Sequence, residues 1–312
     1  MQKTLVVVLS ETRAHELTFD NFKKNVIDEL GADLCLCIGA KSDYNYQNPF
    51  YQLAKYRFLY DEESDSSFAK SVEYSYQETP DKPQYDNGVP IKHYTEFLKL
   101  KTHIGSENDD PTDFSNYCIS TYIHIFFLWF LQKNARDNDL SSKYDRFVIV
   151  RSDYVYSLPF PKMELLDESH VWIPDWEDYG GICDRAVVLS ARNFDQYISI
   201  LESFHKNANR YYNIIESQRE WSMERILKMH LEETGLIGTV RRYPYISYAV
   251  RNINGPTRWS VGTFSEELDY YIKYNAEYER ALYYKVLLED YIKNHKNATV
   301  DDFYRIYVLR RR

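Results

Sequence analysis

Two short stretches of the chain carry residue types that do chemistry. Arg151-Ser152-Asp153 stands directly behind the apolar run 147–150, and Gly180-Gly181-Ile182-Cys183-Asp184-Arg185 stands directly ahead of a second run, 186–190. A guanidinium is a planar fork that grips a phosphate or a carboxylate through two parallel hydrogen bonds. A carboxylate is a hard ligand for a divalent cation or, ionised beside a hydroxyl, a general base. A Gly-Gly turn lets backbone come close to a ligand because no Cβ intervenes. Plainer readings stay open beside these: Arg151 and Asp184 could each form an ion pair with a neighbour of opposite charge.

The elements that must position these residues follow from periodicity. Residues 147–150 are apolar throughout and mostly β-branched, the pattern of a strand covered on both faces, and charge begins abruptly at Arg151. The reactive residues therefore belong at a strand's carboxyl end, where the loops of an open α/β sheet part into a ligand crevice. Residues 4–9 read as a first strand and residues 34–38 as a second. Between them a helix over 19–30 places Phe19, Phe22, Val26, Ile27 and Leu30 on one face, with Thr18 as N-cap and Gly31 past its end. The loop 10–16 then opens at the same end of the sheet as Asp153. Arg13 in it would meet a diphosphate or a base there, or remain a solvated loop arginine.

These residues together resemble the GT-A glycosyltransferases, in particular the sugar-nucleotide-dependent enzymes of bacterial and large-virus surface-glycan synthesis. The motifs that carry the resemblance are Arg151-Ser152-Asp153, Gly181-Ile182-Cys183-Asp184-Arg185, and an amino-terminal strand, loop Arg13, amphipathic helix and Ala32-Asp33. It covers roughly residues 4–40 and 144–250. Two positions depart from the pattern: Ser10-Glu11-Thr12 replaces a Gly-Gln before the loop arginine, and Asp153 stands alone where many members carry Asp-x-Asp. The resemblance implies a GT-A-like α/β fold, a single Rossmann-type mixed sheet flanked by helices. It also implies transfer of a sugar from a nucleotide-sugar donor to an oligosaccharide or glycoconjugate acceptor. Ser10, Thr12, Arg13, Arg151 and Asp153 would bind the donor. Asp153 would ligate Mn or Mg alongside diphosphate oxygens and waters, unless Arg13 and Arg151 do that work without a metal.

Asp184 and Glu220 are the candidate catalytic carboxylates. Asp184 follows the Gly-Gly turn; Glu220 falls in the first turn of a helix over 218–233, where the family often carries an acceptor-facing Glu and the helix dipole favours an acid. Asp175, Glu177 and Asp178 are nearby acidic alternatives. Two other classes stay open: a catalytically silent nucleotide- or glycan-binding protein of the same fold, and a nucleotidyl- or phosphotransferase. The chain has neither a Gly-x-x-x-x-Gly-Lys-Ser/Thr nor a Gly-x-Gly-x-x-Gly motif, which lowers kinase and dinucleotide readings.

The rest of the chain bounds the possibilities. Its 312 residues, 44 % apolar and 27 % charged, suit a globular protein. A net charge of −9 repels a phosphate backbone, so nucleic acid is not an expected partner. The 30 tyrosines are either stacking platforms or a compositional bias. Cys35, Cys37, Cys118 and Cys183 lack metal-site spacing and read as reduced core residues. The apolar run 119–131, which contains His124, is shorter than the ~20 residues a bilayer needs; it reads as a buried helix, its histidine satisfied in the core. With no signal segment or membrane span evident, a cytoplasmic location is expected. Residues 1–262 would form the catalytic domain, with 41–116 an insertion or lid and a short helix over 91–100. Residues 193–205 read as one helix, 239–251 as a strand pair, and 263–312 as a helical extension ending in an arginine tail.

Overall fold

The computed structural model describes residues 2–61, 119–217, 222–255 and 260–310. Seven strands form one mixed sheet: β1 (Thr4–Ser10), β2 (Asp33–Ala40), β3 (Tyr56–Asp61), β4 (Arg146–Val150), then, beyond the short β5 (Tyr154–Tyr156), β6 (Val171–Pro174), β7 (Val187–Ser190) and β8 (Val240–Tyr243). Their order is β3-β2-β1-β4-β7-β6-β8. The first four are parallel, β7 runs antiparallel to both its neighbours, and β6 pairs with β8 in parallel. This is a mixed α/β sheet, as expected. β5 leaves it for a second, four-stranded sheet in the order β10-β11-β9-β5, with β9 (Ser247–Arg251), β10 (Thr263–Ser265) and β11 (Tyr270–Ile272).

Helices cover both faces because β1 and β4 alternate apolar side chains to each. Leu5, Val7, Phe147 and Ile149 pack under α3 (Ile119–Asp137), the one-turn α4 (Leu140–Lys143), α5 (Ala191–Ile198), α6 (Ile200–Lys206), α7 (Ala208–Ser217) and α8 (Met223–Glu233). Val6, Val8, Val148 and Val150 face α1 (His15–Phe22), α2 (Pro49–Leu53), α9 (Asn275–Asn294) and α10 (Val300–Arg310). Each such aliphatic side chain contributes about 1.5–3 kcal/mol by leaving water. None of the described helices is long and apolar enough to cross a membrane.

Several elements differ from the sequence reading, each for a local reason. α1 starts at His15, where Ala14 adopts a left-handed conformation (φ 54). Thr18 is thus not the cap: it is buried inside the helix, its hydroxyl donating to the Ala14 carbonyl at 3.1 Å. The helix passes through a π-helical stretch, Lys23–Asp28, and runs on to residue 30, with Gly31 past its end as expected. β3 lies in a polar stretch whose alternation is weak, yet it pairs along its whole length with β2. Ser199 splits the helix expected over 193–205 into α5 and α6. β8 and β9 do not pair with each other but join different sheets. Residues 263–265 and 270–272 are strands, so the carboxyl-terminal region opens by completing the small sheet before it turns helical. The expected insertion is described only as far as Asp61. Its remainder, the helix over 91–100, Cys118 and the final two arginines lie outside the described residues.

The edge of the small sheet is closed by a side chain. Tyr156 donates its backbone N–H to Asn21 Oδ1 at 2.7 Å, and its carbonyl accepts from Asn21 Nδ2 at 3.1 Å.

Candidate functional site

The candidate residues gather in the loops at the carboxyl ends of β1 and β4. Ser10 (φ 80) and Ala14 (φ 54) turn the loop after β1 through left-handed backbone, which lays it along the loop after β4. Ser152 Oγ joins the two by donating to the Glu11 carbonyl at 2.8 Å. Thr12 faces inward: its hydroxyl accepts from Asn48 Nδ2 at 2.9 Å and meets Tyr44 Oη at 3.0 Å. It fixes the loop rather than lining the crevice. Arg13, one-third exposed, pairs with Glu11 at 2.6 Å.

Asp153 is 1 % exposed, and both its oxygens are engaged. Arg151 forks onto it, Nε to Oδ1 and Nη2 to Oδ2, each at 3.0 Å, and Arg251 Nη1 reaches Oδ2 at 2.6 Å. Burial alone would push this carboxyl up, but Arg151 and Arg251 hold it well below the usual carboxylate range. Arg251 ends β9 and is 2 % exposed. Lys273, just past β11, donates its backbone N–H to the Ala249 carbonyl at 2.9 Å, while Tyr271 stands opposite Arg251. That register puts Ala249, Arg251 and Lys273 on one face of the small sheet, the last two as diagonal neighbours. Burial first, then the charges of Arg251 and Arg151, lower the Lys273 ammonium to about 7 against the opposing pull of Asp153.

A second cluster reverses these signs. Arg185 is surrounded by Asp184 at 2.5 Å, Glu277 at 3.2 Å, Glu224 at 3.5 Å and Glu177 at 3.9 Å. Glu277, fully buried on α9, also accepts from the Ala249 N–H at 3.0 Å and from Tyr154 Oη at 3.3 Å. Glu224 sits in the first turn of α8. Burial and the neighbouring Asp184 raise its carboxyl to about 7, with Arg185 opposing. Asp184 moves the other way: burial disfavours its charge, but Arg185, and behind it His124 and Arg151, lower its pKa. His124, on α3, is half-buried rather than a core residue and is electrostatically coupled to this cluster.

The Gly-Gly turn explains how α8 reaches the cluster. Gly180 is left-handed (φ 77), and a Cβ on Gly181 would lie 2.1 Å from the Glu224 backbone. The close approach that glycine permits here is thus to the first turn of α8, sealed by Ile182 N–H donating to the Glu224 carbonyl at 2.9 Å.

The structure therefore brings together Ser10, Arg13, Arg151, Asp153 and Asp184, with Thr12 behind them. Glu220 lies outside the described residues. Asp178 is held bidentately by Arg242 at 2.8 Å, and Asp175 ties Arg280, Tyr284 and Tyr307 of the last two helices, so both are structural. Sequence reasoning missed Glu224, Arg251, Lys273 and Glu277. For Glu224 a signal existed: it stands two positions after Ser222, a residue suited to cap a helix. Arg251, Lys273 and Glu277 had none, because only the small sheet and the helix on it place them here.

Three comparisons with known proteins bear on the chain. No family model matches it, and no curated protein matches it. Among solved structures, the apo form of mouse xyloside xylosyltransferase 1 aligns with a TM-score of 0.40 at 10 % identity, covering 78 % of this chain and 86 % of that one.

Proposed function

We propose that this chain is a glycosyltransferase that moves a sugar from a nucleotide-sugar donor to a hydroxyl of a glycan or glycoconjugate. One observation carries the reading: at a sheet's carboxyl edge a cation-rich cluster adjoins, through Asp184 and Arg185, a carboxylate, Glu224, whose proton affinity sits near neutrality. In the reaction the bond from the anomeric carbon to the diphosphate oxygen breaks, its electron pair staying on that oxygen. The acceptor oxygen bonds to the anomeric carbon and gives up its proton to Glu224 or Asp184. Buried guanidinium groups favour the charge that develops on the leaving group, and a carboxylate with a pKa near the working pH suits proton removal. Beside the loop that holds Arg13, the rings of Tyr44, Tyr46 and Tyr51 lie within 6.0 Å of one another and offer a face to a base.

The divalent metal expected on Asp153 does not suit the donor set. A hard cation takes about six oxygen ligands, whereas Asp153 has both oxygens on guanidinium groups. Among the described residues no group of three His, Cys, Asp or Glu side chains lies close enough to hold a metal. The ion pair of Asp184 with Arg185 favours a second reading, a protein that binds a nucleotide sugar without turning it over.

Incubation of the purified protein with UDP-, GDP- and CMP-sugars, with and without acceptor glycans, tests both. Release of nucleotide from one donor is expected, slowed roughly 10²–10⁴-fold in Glu224→Gln with donor affinity kept. Binding without release from any donor would leave the second reading; absence of both binding and release would dismiss the two together.

A further inference from the structure

We infer that the donor's diphosphate is held without a metal ion, in a clamp of cationic side chains from two sheets: Arg13 and Arg151 from the main sheet, Arg251 and Lys273 from the small one. The inference rests on the donor reading above and adds the residues and the mode of binding.

The clamp is visible as unfinished hydrogen bonding. Arg251 is almost wholly buried, yet among the described residues its Nε and Nη2 have no partner; Nη1 is used, on Asp153 and on the Val250 carbonyl at 2.6 Å. Lys273 is 6 % exposed and has no ion-pair partner among the described residues, its Nζ lying 4.9 Å from the centre of the Tyr274 ring. Buried donors are ordinarily satisfied, and those that are not call for a missing partner. Here the missing partner is anionic. Among the described residues the salt bridges of these four cations go only to Asp153 and Glu11, within a chain whose net charge is −9.

Two phosphates fit that demand better than one carboxylate. Guanidinium forks match phosphate oxygens, and an ammonium serves as a point charge on either group. The unused donors come from strand ends on the small sheet, so a ligand resting on the main-sheet loops would be enclosed from the opposite side. In the transfer step these side chains would take the electron pair's charge as the glycosyl–oxygen bond breaks, the role a divalent ion would otherwise fill.

Calorimetric titration of the full chain with inorganic pyrophosphate, in EDTA and again with Mn²⁺, tests the clamp. Binding in EDTA is expected, with affinity changed less than threefold by the metal. Lys273→Met should weaken it at least tenfold, and Arg13→Gln should weaken it several-fold, both while melting cooperatively. Lys273→Arg should restore most of the affinity. Lys55→Met, at the opposite end of the sheet where Lys55 pairs with Asp33 at 2.6 Å, should bind as the parent does. The clamp is overturned if pyrophosphate binds only with Mn²⁺, if it binds in neither medium, or if Lys273→Met binds it as tightly as the parent. Pyrophosphate binding in EDTA with no donor consumed would keep the clamp and remove the transfer reading. Donor turnover that requires Mn²⁺ would do the reverse.

Discussion

The two halves of the crevice are charge-inverted copies of one arrangement. Around Arg185 a single guanidinium is enclosed by four carboxylates, and every one of them lies within 4.0 Å of it. Around Asp153 a single carboxylate is enclosed by guanidinium groups, with a lone ammonium nearby and two guanidinium nitrogens left over. The difference lies in how each half meets its surplus charge. The acidic half lowers its own charge by keeping Glu224 partly protonated, since a carboxyl can be neutralised at physiological pH. Arginine cannot shed its proton there. In the cationic half only Lys273 can yield, so the surplus waits for an anion. A buried charge that cannot titrate away is stronger evidence of a ligand than one that can.

Removing the central residue of each half should separate them most sharply. Arg185→Met would leave its carboxylates without a cation, and breaking a buried ion pair from one side costs roughly 3–5 kcal/mol. Denaturant melts should show that loss, and added pyrophosphate should not repair it. Asp153→Asn leaves the opposite surplus. Because the amide oxygen can still accept one hydrogen bond, the loss should be smaller, about 2–3 kcal/mol. Millimolar pyrophosphate should recover most of it. If pyrophosphate rescued both variants, or neither, the contrast between the halves would be wrong.

The smallest effect is a difference in pH slope. Glu224 has its folded pKa raised from 4.5 to about 7, so the folded state holds the extra proton between those values. Its contribution to stability is full below about 4.5 and is lost as pH rises to about 7. Lys273 has its folded pKa lowered from 10.5 to about 7, so the unfolded state holds the extra proton in that window. Stability from this residue therefore rises as pH climbs from about 7 to 10.5. Each slope should amount to roughly 1–3 kcal/mol across its window. Comparing melts of Glu224→Gln and Lys273→Met with the parent from pH 4 to 10 isolates them. The first variant should lose the acid-side slope and the second the alkaline one.

What could be read in the sequence divides along the same line. The run at β4 was legible because a strand buried on both faces leaves no choice of residue, and its abrupt end put Arg151 and Asp153 at the crevice. The first βαβ unit and Asp184 followed from similarly local signals. Glu224 was within reach but displaced: an early start for the helix drew attention to Glu220, while α8 begins at Met223. Thr12 looked like a ligand residue because a loop hydroxyl carries no mark of which way it faces. Arg251 and Lys273 were not legible at all. Tyrosine and leucine spacing over 266–293 suggested helix throughout, and three-residue strands such as β5 and β11 carry too little pattern to show that they pair. The Gly-Gly turn was expected to bring backbone close to a ligand, whereas the neighbour that Gly181 approaches is the first turn of α8, which a sequence cannot say.

Asn21 gives the small sheet a boundary. An outermost strand ordinarily presents free N–H and carbonyl groups to any extended chain nearby, and proteins guard such strands against unwanted pairing. At Tyr156 both groups are taken by one amide side chain projecting from α1, which occupies the place a fifth strand would have. The helix thereby acts as a stop. It sets the width of the sheet that carries Arg251 and Lys273, and it does so with a side chain too short to be extended into a further strand. A leucine at this position would keep much of the packing yet leave that margin open to a neighbouring molecule.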